Sequence, residues 1–353
     1  MTLYDAVADL DLTVEGFDLS LAERDTSSDF VRTTTTVSLH GEGETGRGED
    51  VTYDGDAHHA LVETVGDGDP LDLAGEYTLD GFSEHVGNQD LFFGDEPEQS
   101  AFRNYRRWGI ESAALDLALR QAGENFASVV GSEYEPVRFV ASTRLGDPPM
   151  MERIEAFLDV NPDLEFKLDP TSEWDEELIA RLRETGRVRA VDLKGQYHGT
   201  VVDQPADPAL YERVVEGLPD AVIEDPALTE ETREVLRGHE GRIAWDYPIT
   251  GIESVEELPW EPEWLNIKPS RFGSVRSLLE TIEYCQERGM TLYGGGQFEL
   301  GVGREHLHAV ASLFYSGGPN DVAPSPYNDP TPRAGLPESP LAPPDGPRGL
   351  DWD

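Results

Sequence analysis

From about residue 135 to about residue 324, apolar positions gather into short runs that end in polar residues, and each run is followed by a stretch with apolar residues at helical spacing. The runs are VRFVAS (137–142), LEFKLD (164–169), VRAVDLKG (188–195), DAVIED (220–225), RIAWDY (242–247), WLNIKP (264–269) and TLYGGG (291–296). Between them lie helix candidates such as MERIEAFLDV, EWDEELIARLRE, DPALYERVVEGL, SVRSLLETIEYCQERG and REHLHAVASLFYSG. Strands this apolar are buried on both faces, and strands separated by helices run parallel. Seven βα units in succession, with a short last strand at NDVAP (320–324), predict a closed parallel α/β barrel over 135–324.

The first 134 residues read differently. TTTTVSLHGEGETGRGEDVTY (33–53) alternates with period two around a glycine-rich turn and predicts an antiparallel hairpin. WGIESAALDLALRQAG (108–123) carries an apolar helical stripe. Residues 1–134 are therefore expected to form a small α+β domain packed on the barrel. Residues 325–353, rich in proline and glycine, predict an extended tail running back over that N-terminal domain.

Charge changes the picture. The chain has 353 residues, with 71 Asp plus Glu against 27 Lys plus Arg, and a net charge of −44. An acidic excess spread along the whole length keeps a surface hydrated in concentrated salt, which in turn screens self-repulsion. This is a halophile-like surface, and it argues against nucleic acid and anionic membranes as partners. The single cysteine, Cys285, rules out an intramolecular disulfide. No apolar run reaches membrane-spanning length and the N-terminus MTLYDAVADLDL is acidic, so a soluble, cytoplasmic protein is expected, and with it a homo-oligomer.

Only three lysines occur, Lys167, Lys194 and Lys268. In a barrel of this kind the site lies at the C-terminal ends of the strands. There the second strand offers Lys167 and Asp169, the third Asp192 and Lys194, the fourth Glu224, the fifth Asp246 and the sixth Lys268. Three carboxylates brought together from adjacent strands repel one another unless a cation holds them, and an all-oxygen ligand set selects a hard cation such as Mg2+. The alternative is that each carboxylate pairs with an arginine at the barrel rim.

As an ordered set these residues resemble the enolase superfamily, within it the mandelate racemase and muconate lactonizing enzyme groups. The resemblance spans nearly the whole chain: a T-T-T-V-S-L hairpin ending G-R-G-E, the helix I-E-S-A-A-L-D-L, I-E-D-P, N-I-K-P-S-R-F-G-S and G-G-G-Q-F-E-L-G-V-G-R. It implies an N-terminal capping domain on a (β/α)7β TIM-like barrel. It further implies Mg2+ ligands at Asp192, Glu224 and Asp246, a base at Lys268, and Glu299 close to the site. The implied chemistry is removal of the α-proton of a small carboxylic acid to give a metal-stabilised enediolate, followed by dehydration or by racemisation or epimerisation. Two rivals stand beside it: an o-succinylbenzoate synthase-like dehydratase, and a superfamily member that keeps the metal site but only binds its ligand.

The chain departs from the family pattern at two points. Where many members end the second strand in Lys-x-Lys, this one reads Lys167-Leu168-Asp169, so a usual second base is missing. Where the family often has Ala-Asn after the third-strand aspartate, Leu193-Lys194 stands. Strand alternation puts Lys194 on the same side as Asp192, which predicts that it points into the site and replaces the missing base, or else forms an ion pair with Asp169. Lys167 would hold the substrate carboxylate by charge. Several weaker signals remain. His198, just beyond the third strand, is a candidate ligand contact. In such a family substrate selection falls to capping-domain loops, here Phe17–Phe30 and the segment around Tyr53–Leu61, in which His58 and His59 read as loop residues. His306 and His308 read as structural, and GGGQFELGVG lacks the lysine of a phosphate-binding loop.

Overall fold

The structure, a computed structural model, describes residues 2–26, 30–68, 71–200, 202–329 and 331–352. Among the described residues, five strands belong to the N-terminal part: β1 (Asp11–Val14), β2 (Gly16–Asp25), β3 (Val31–Gly41), β4 (Glu44–Asp50) and β5 (Gly75–Thr78). β2, β3 and β4 form an antiparallel sheet and β1 pairs with β5. The expected hairpin is β3–β4, and Glu42 and Gly43 turn it with positive φ at both positions, the geometry that suits a tight right-twisted hairpin. The sheet lies directly on the helix Ala101–Ala122. A Cβ at Gly48 would stand 2.1 Å from the carbonyl oxygen of Gly109, so the glycines of G-R-G-E allow backbone to meet backbone.

The capping segment Phe17–Phe30 is a strand as far as Asp25, not a loop, and residues 27–29 lie outside the described residues. The segment Tyr53–Leu61 runs into the helix Gly55–Asp67, where Asp54 accepts a hydrogen bond from Ala57 N and caps the N-terminus. His58 is not a loop residue. It is fully buried, between Thr35 Oγ1 (2.8 Å) and the carbonyl oxygen of Thr52 (2.9 Å). His59 is half exposed and faces Glu23.

Seven parallel strands follow in sequential order: β6 (Ala141–Thr143), β7 (Phe166–Leu168), β8 (Val188–Asp192), β9 (Val222–Glu224), β10 (Ile243–Trp245), β11 (Trp264–Ile267) and β12 (Thr291–Gly294). Each is shorter than its predicted apolar run and lies inside it, except that β6 extends one residue beyond 137–142 to Thr143. Ala190, Val222, Ala244 and Tyr293 pack on the inner face of the sheet. The predicted last strand, 320–324, is not a regular strand. Single bridges join Asn320 to Phe139 and Asp321 to Gly295, so both edges of the sheet meet there. The Asn320 side chain does much of the joining: its Oδ1 accepts from Gly294 N at 2.6 Å and its Nδ2 donates to the carbonyl oxygen of Arg138 at 2.8 Å. In the C-terminal tail, Leu350 N donates to Asp116 Oδ1 on the helix Ala101–Ala122 at 2.9 Å. No helix among the described residues is long and apolar enough to cross a membrane.

Candidate active site

The strand register brings the carboxylates together. Asp192 and Glu224 are directly paired residues at the ends of β8 and β9, and Asp246 follows the last residue of β10. One oxygen from each of Asp192, Glu224 and Asp246 lies within 4.8 Å of the others, and all three residues are fully buried. The rim-arginine alternative fails for Asp192 and Glu224, whose cationic partners are lysines; only Asp246 meets an arginine.

All three lysines of the chain reach this cluster. Lys167, on β7, bonds Glu224 Oε1 through its Nζ and lies 3.5 Å from Asp192 Oδ2 and 3.6 Å from Asp321 Oδ2. Lys268, one residue past β11, donates to Asp246 Oδ2 at 2.9 Å. Lys194 bonds Asp192 Oδ2, with Asp169 Oδ1 at 3.8 Å.

Lys194 is not placed by strand alternation. β8 ends at Asp192 and Lys194 has φ +54°, a left-handed conformation uncommon for a residue with a long side chain. The backbone turns there while staying bonded to the fourth strand, through Leu193 N to Glu224 O (2.9 Å) and Gly195 N to Asp225 O (2.8 Å). Its principal partner is Asp192 rather than Asp169. Asp169 accepts from Arg144 Nε at 3.2 Å and touches the cluster only through Lys194. His198 lies outside the cluster: its side chain is 76% exposed and faces Asp203. Glu299 is buried, but against Gln297 N (2.7 Å) and Arg304 (3.5 Å) at the boundary with the N-terminal domain. His306 and His308 are both buried in the helix Gly303–Phe314.

Several residues of the site were not singled out from sequence. Arg271 donates to Asp246 Oδ1 at 2.7 Å and Tyr197 OH donates to Asp246 Oδ2 at 2.8 Å. Asn266 Nδ2 donates to Glu224 Oε2 at 3.2 Å, and the Tyr293 hydroxyl bonds the same oxygen. Asp225, with φ +47°, accepts from Asp246 N (2.9 Å) and Tyr247 N (2.8 Å) and so fixes the turn after β10. Asn266 had a usable signal, since it stands two residues before Lys268 and period two puts both on one face. Tyr293, on β12 and paired with Asn266, shared that strand-face signal, whereas Arg271, Tyr197 and Asp225 depend on the conformation beyond the strand ends.

Electrostatics follow from this packing. Burial alone would raise the Asp192 carboxyl, but Lys194 and Lys167 outweigh it and hold the group well below the usual carboxylate range. Asp246 is likewise held low against its burial by Arg271 and Lys268. Glu224, between them, is pushed up by burial and by both neighbouring carboxylates, Lys167 offsetting only part of this. Burial and Asp246 push Asp225 up to about 7. Burial works against the charged Lys167, yet Glu224, Asp192 and Asp321 keep its ammonium well above the ordinary lysine value.

Two family models cover the chain, the N-terminal domain of DUF8230, a domain of unknown function, over residues 5–129 and its C-terminal domain over residues 133–329. The chain belongs to the DUF8230 family. Among curated proteins, an N-succinylamino acid racemase from an Amycolatopsis species is 27% identical over 246 residues, 65% of this chain and 63% of the relative. An o-succinylbenzoate synthase from Bacillus subtilis is 23% identical over 240 residues, 62% of this chain and 58% of the relative. The match thus spans about three fifths of the length of these curated relatives, both of which are enzymes. A solved structure from Listeria innocua, a member of the enolase superfamily, superposes with a TM-score of 0.65 at 19% identity, covering 89% of this chain and 86% of that one. The fold of this DUF8230 chain is that of the enolase superfamily.

The carboxylate donor set fits a divalent cation. Oxygen ligands at this spacing suit a hard ion such as Mg2+, and three buried carboxylates supply the compensating charge.

Proposed function

We propose that this chain is a Mg2+-dependent enzyme of the enolase superfamily, with a capped (β/α)7β barrel, that removes the α-proton of a small carboxylic acid. The observation that carries the reading is the convergence of Asp192, Glu224 and Asp246 within 4.8 Å, flanked by every lysine the chain possesses. Asp192, Glu224 and Asp246 would hold the cation. When bound, it neutralises the substrate carboxylate and stabilises the negative charge that develops there.

Lys268 and Lys194 stand at opposite ends of the triad, one on Asp246 and the other on Asp192. Lys268 takes the α-proton at Nζ. Lys194 then returns a proton from the other end, which gives racemisation or epimerisation. Lys167 stays with Glu224 and offsets its charge. Arg271 and Tyr197 fix the Asp246 carboxylate so that Lys268 keeps a defined position. The similarity to an N-succinylamino acid racemase supports this order of events. A dehydration, in which Lys194 protonates a leaving hydroxyl, is the second reading, and the similarity to an o-succinylbenzoate synthase supports it.

The test is solvent-deuterium incorporation into a panel of N-succinylamino acids and other carboxylic acids, in high salt with Mg2+. Lys268→Arg should abolish incorporation, because a guanidinium does not accept a proton near neutrality. Lys194→Arg should still exchange the α-proton but fail to complete turnover. Exchange absent from every acid tested would leave a ligand-binding protein in place of the enzyme.

A further inference from the structure

Every oxygen of the carboxylate triad already has a protein donor. Asp192 Oδ1 accepts from Lys194 N (3.0 Å) and Oδ2 from Lys194 Nζ. Glu224 is covered by Lys167, Tyr293 and Asn266. Asp246 is covered by Arg271, Lys268 and Tyr197. Each carboxylate thus already holds an ammonium, so an entering divalent cation is repelled until one of the lysines moves away, and the question is which one gives way.

Lys194 differs from the other cations in three respects. Its side chain is 14% exposed against 2% for Lys167 and 8% for Lys268, so it sits at the open edge of the cluster. Its backbone, at φ +54°, is one that glycine or asparagine adopts with less strain, yet one of only three lysines in the chain stands there. It also has a second seat. Asp169 Oδ1 lies 3.8 Å from Nζ and is itself anchored by Arg144, and the Tyr197 ring centroid is 4.9 Å away. Lys167 is held on three sides, by Glu224, Asp192 and Asp321, Lys268 is less exposed than Lys194, and Arg271 is locked by its planar fork.

We propose that Lys194 is a displaceable counter-ion of the metal site: its ammonium occupies Asp192 when no divalent cation is bound and moves onto Asp169 and the Tyr197 ring when one is. This rests on the divalent-cation reading above. The triad can then fold and stay neutralised without metal, and Lys194 weakens metal affinity by competing for Asp192.

The test is Mg2+ calorimetry in high salt on the full chain, with circular dichroism to check each variant's fold. Lys194→Gly suits the left-handed backbone and removes the ammonium, so it should bind Mg2+ about tenfold more tightly or better. Lys194→Arg keeps the charge and should stay within about threefold of the unmodified protein. Asp169→Asn removes the second seat and should weaken binding about threefold or more when Lys194 is present, but by less than about twofold in the Lys194→Gly background. Lys194→Gly with unchanged or weaker affinity, or Lys194→Arg as tight as Lys194→Gly, overturns the competitor role. An equal effect of Asp169→Asn in both backgrounds overturns the second seat. If none of the proteins binds Mg2+, the divalent-cation reading fails and this proposal with it; binding that Lys194→Gly leaves unchanged sinks this proposal alone.

Discussion

Glu49 ties the N-terminal sheet to the barrel, and its removal should be costly. It ends the G-R-G-E run on β4 and is 1% exposed. Its Oε1 accepts from Leu300 N (2.7 Å) and Gly301 N (3.1 Å), and its Oε2 from Gly301 N (3.1 Å) and Gly303 N (2.8 Å). One carboxylate thus satisfies three backbone donors at the start of the helix Gly303–Phe314, more than 250 residues away in the chain. Glu49→Ala leaves the buried Gly303 N and the part-buried Leu300 N and Gly301 N without this acceptor, at up to about 1–3 kcal/mol each and least at the exposed Gly301, which water reaches. Against that sum stands the cost of burying the carboxylate itself, since burial and the nearby Glu299 push its pKa up. The net loss should be about 3 kcal/mol. Glu49→Gln keeps one acceptor but sets an amide N–H against a backbone N–H, and should lose about 1–2 kcal/mol. Urea unfolding in high salt measures both, with the m-value held constant across the series. A loss below about 0.5 kcal/mol for Glu49→Ala would show that water replaces the carboxylate and that the staple contributes nothing.

Two further outcomes are expected. With a net charge of −44, lower ionic strength lengthens the range of repulsion, so circular dichroism across a salt series should show structure lost toward dilute buffer; full retention there would refute the salt requirement. Burial pushes His306 and His308 down to about 4, against Asp351 and a Val322 carbonyl that favour protonation respectively, and with Arg120 and Arg304 adding to the depression. The unfolded chain then binds more protons between about pH 6.5 and pH 4, so stability present above pH 6.5 is lost as pH falls through this window, by about 3 kcal/mol per histidine. A stability profile no steeper over this window than that of a His306→Gln, His308→Gln double variant would refute the assignment.

The positions of the clustered carboxylates and lysines were readable from sequence because a βα barrel delivers one strand end per repeat. Asp192, Glu224, Asp246 and Lys268 each close an apolar run, and the scarcity of lysine on an acidic surface marked Lys167, Lys194 and Lys268 as interior. The repeat itself gave the seven parallel strands, since an apolar run followed by an amphipathic helix has few other ways to bury both faces. Periodicity reports only which face of a local element a residue occupies. It placed Lys194 beside Asp192 by strand alternation, whereas a left-handed turn beyond the strand decides its position and pairs it with Asp192 in preference to Asp169. Arg271 and Tyr197 on Asp246, Glu49 on the barrel helix and Asn320 at the seam join residues far apart in the chain. Those contacts exist because buried polar groups must find partners wherever packing brings them, and only the assembled tertiary structure fixes which partner is within reach.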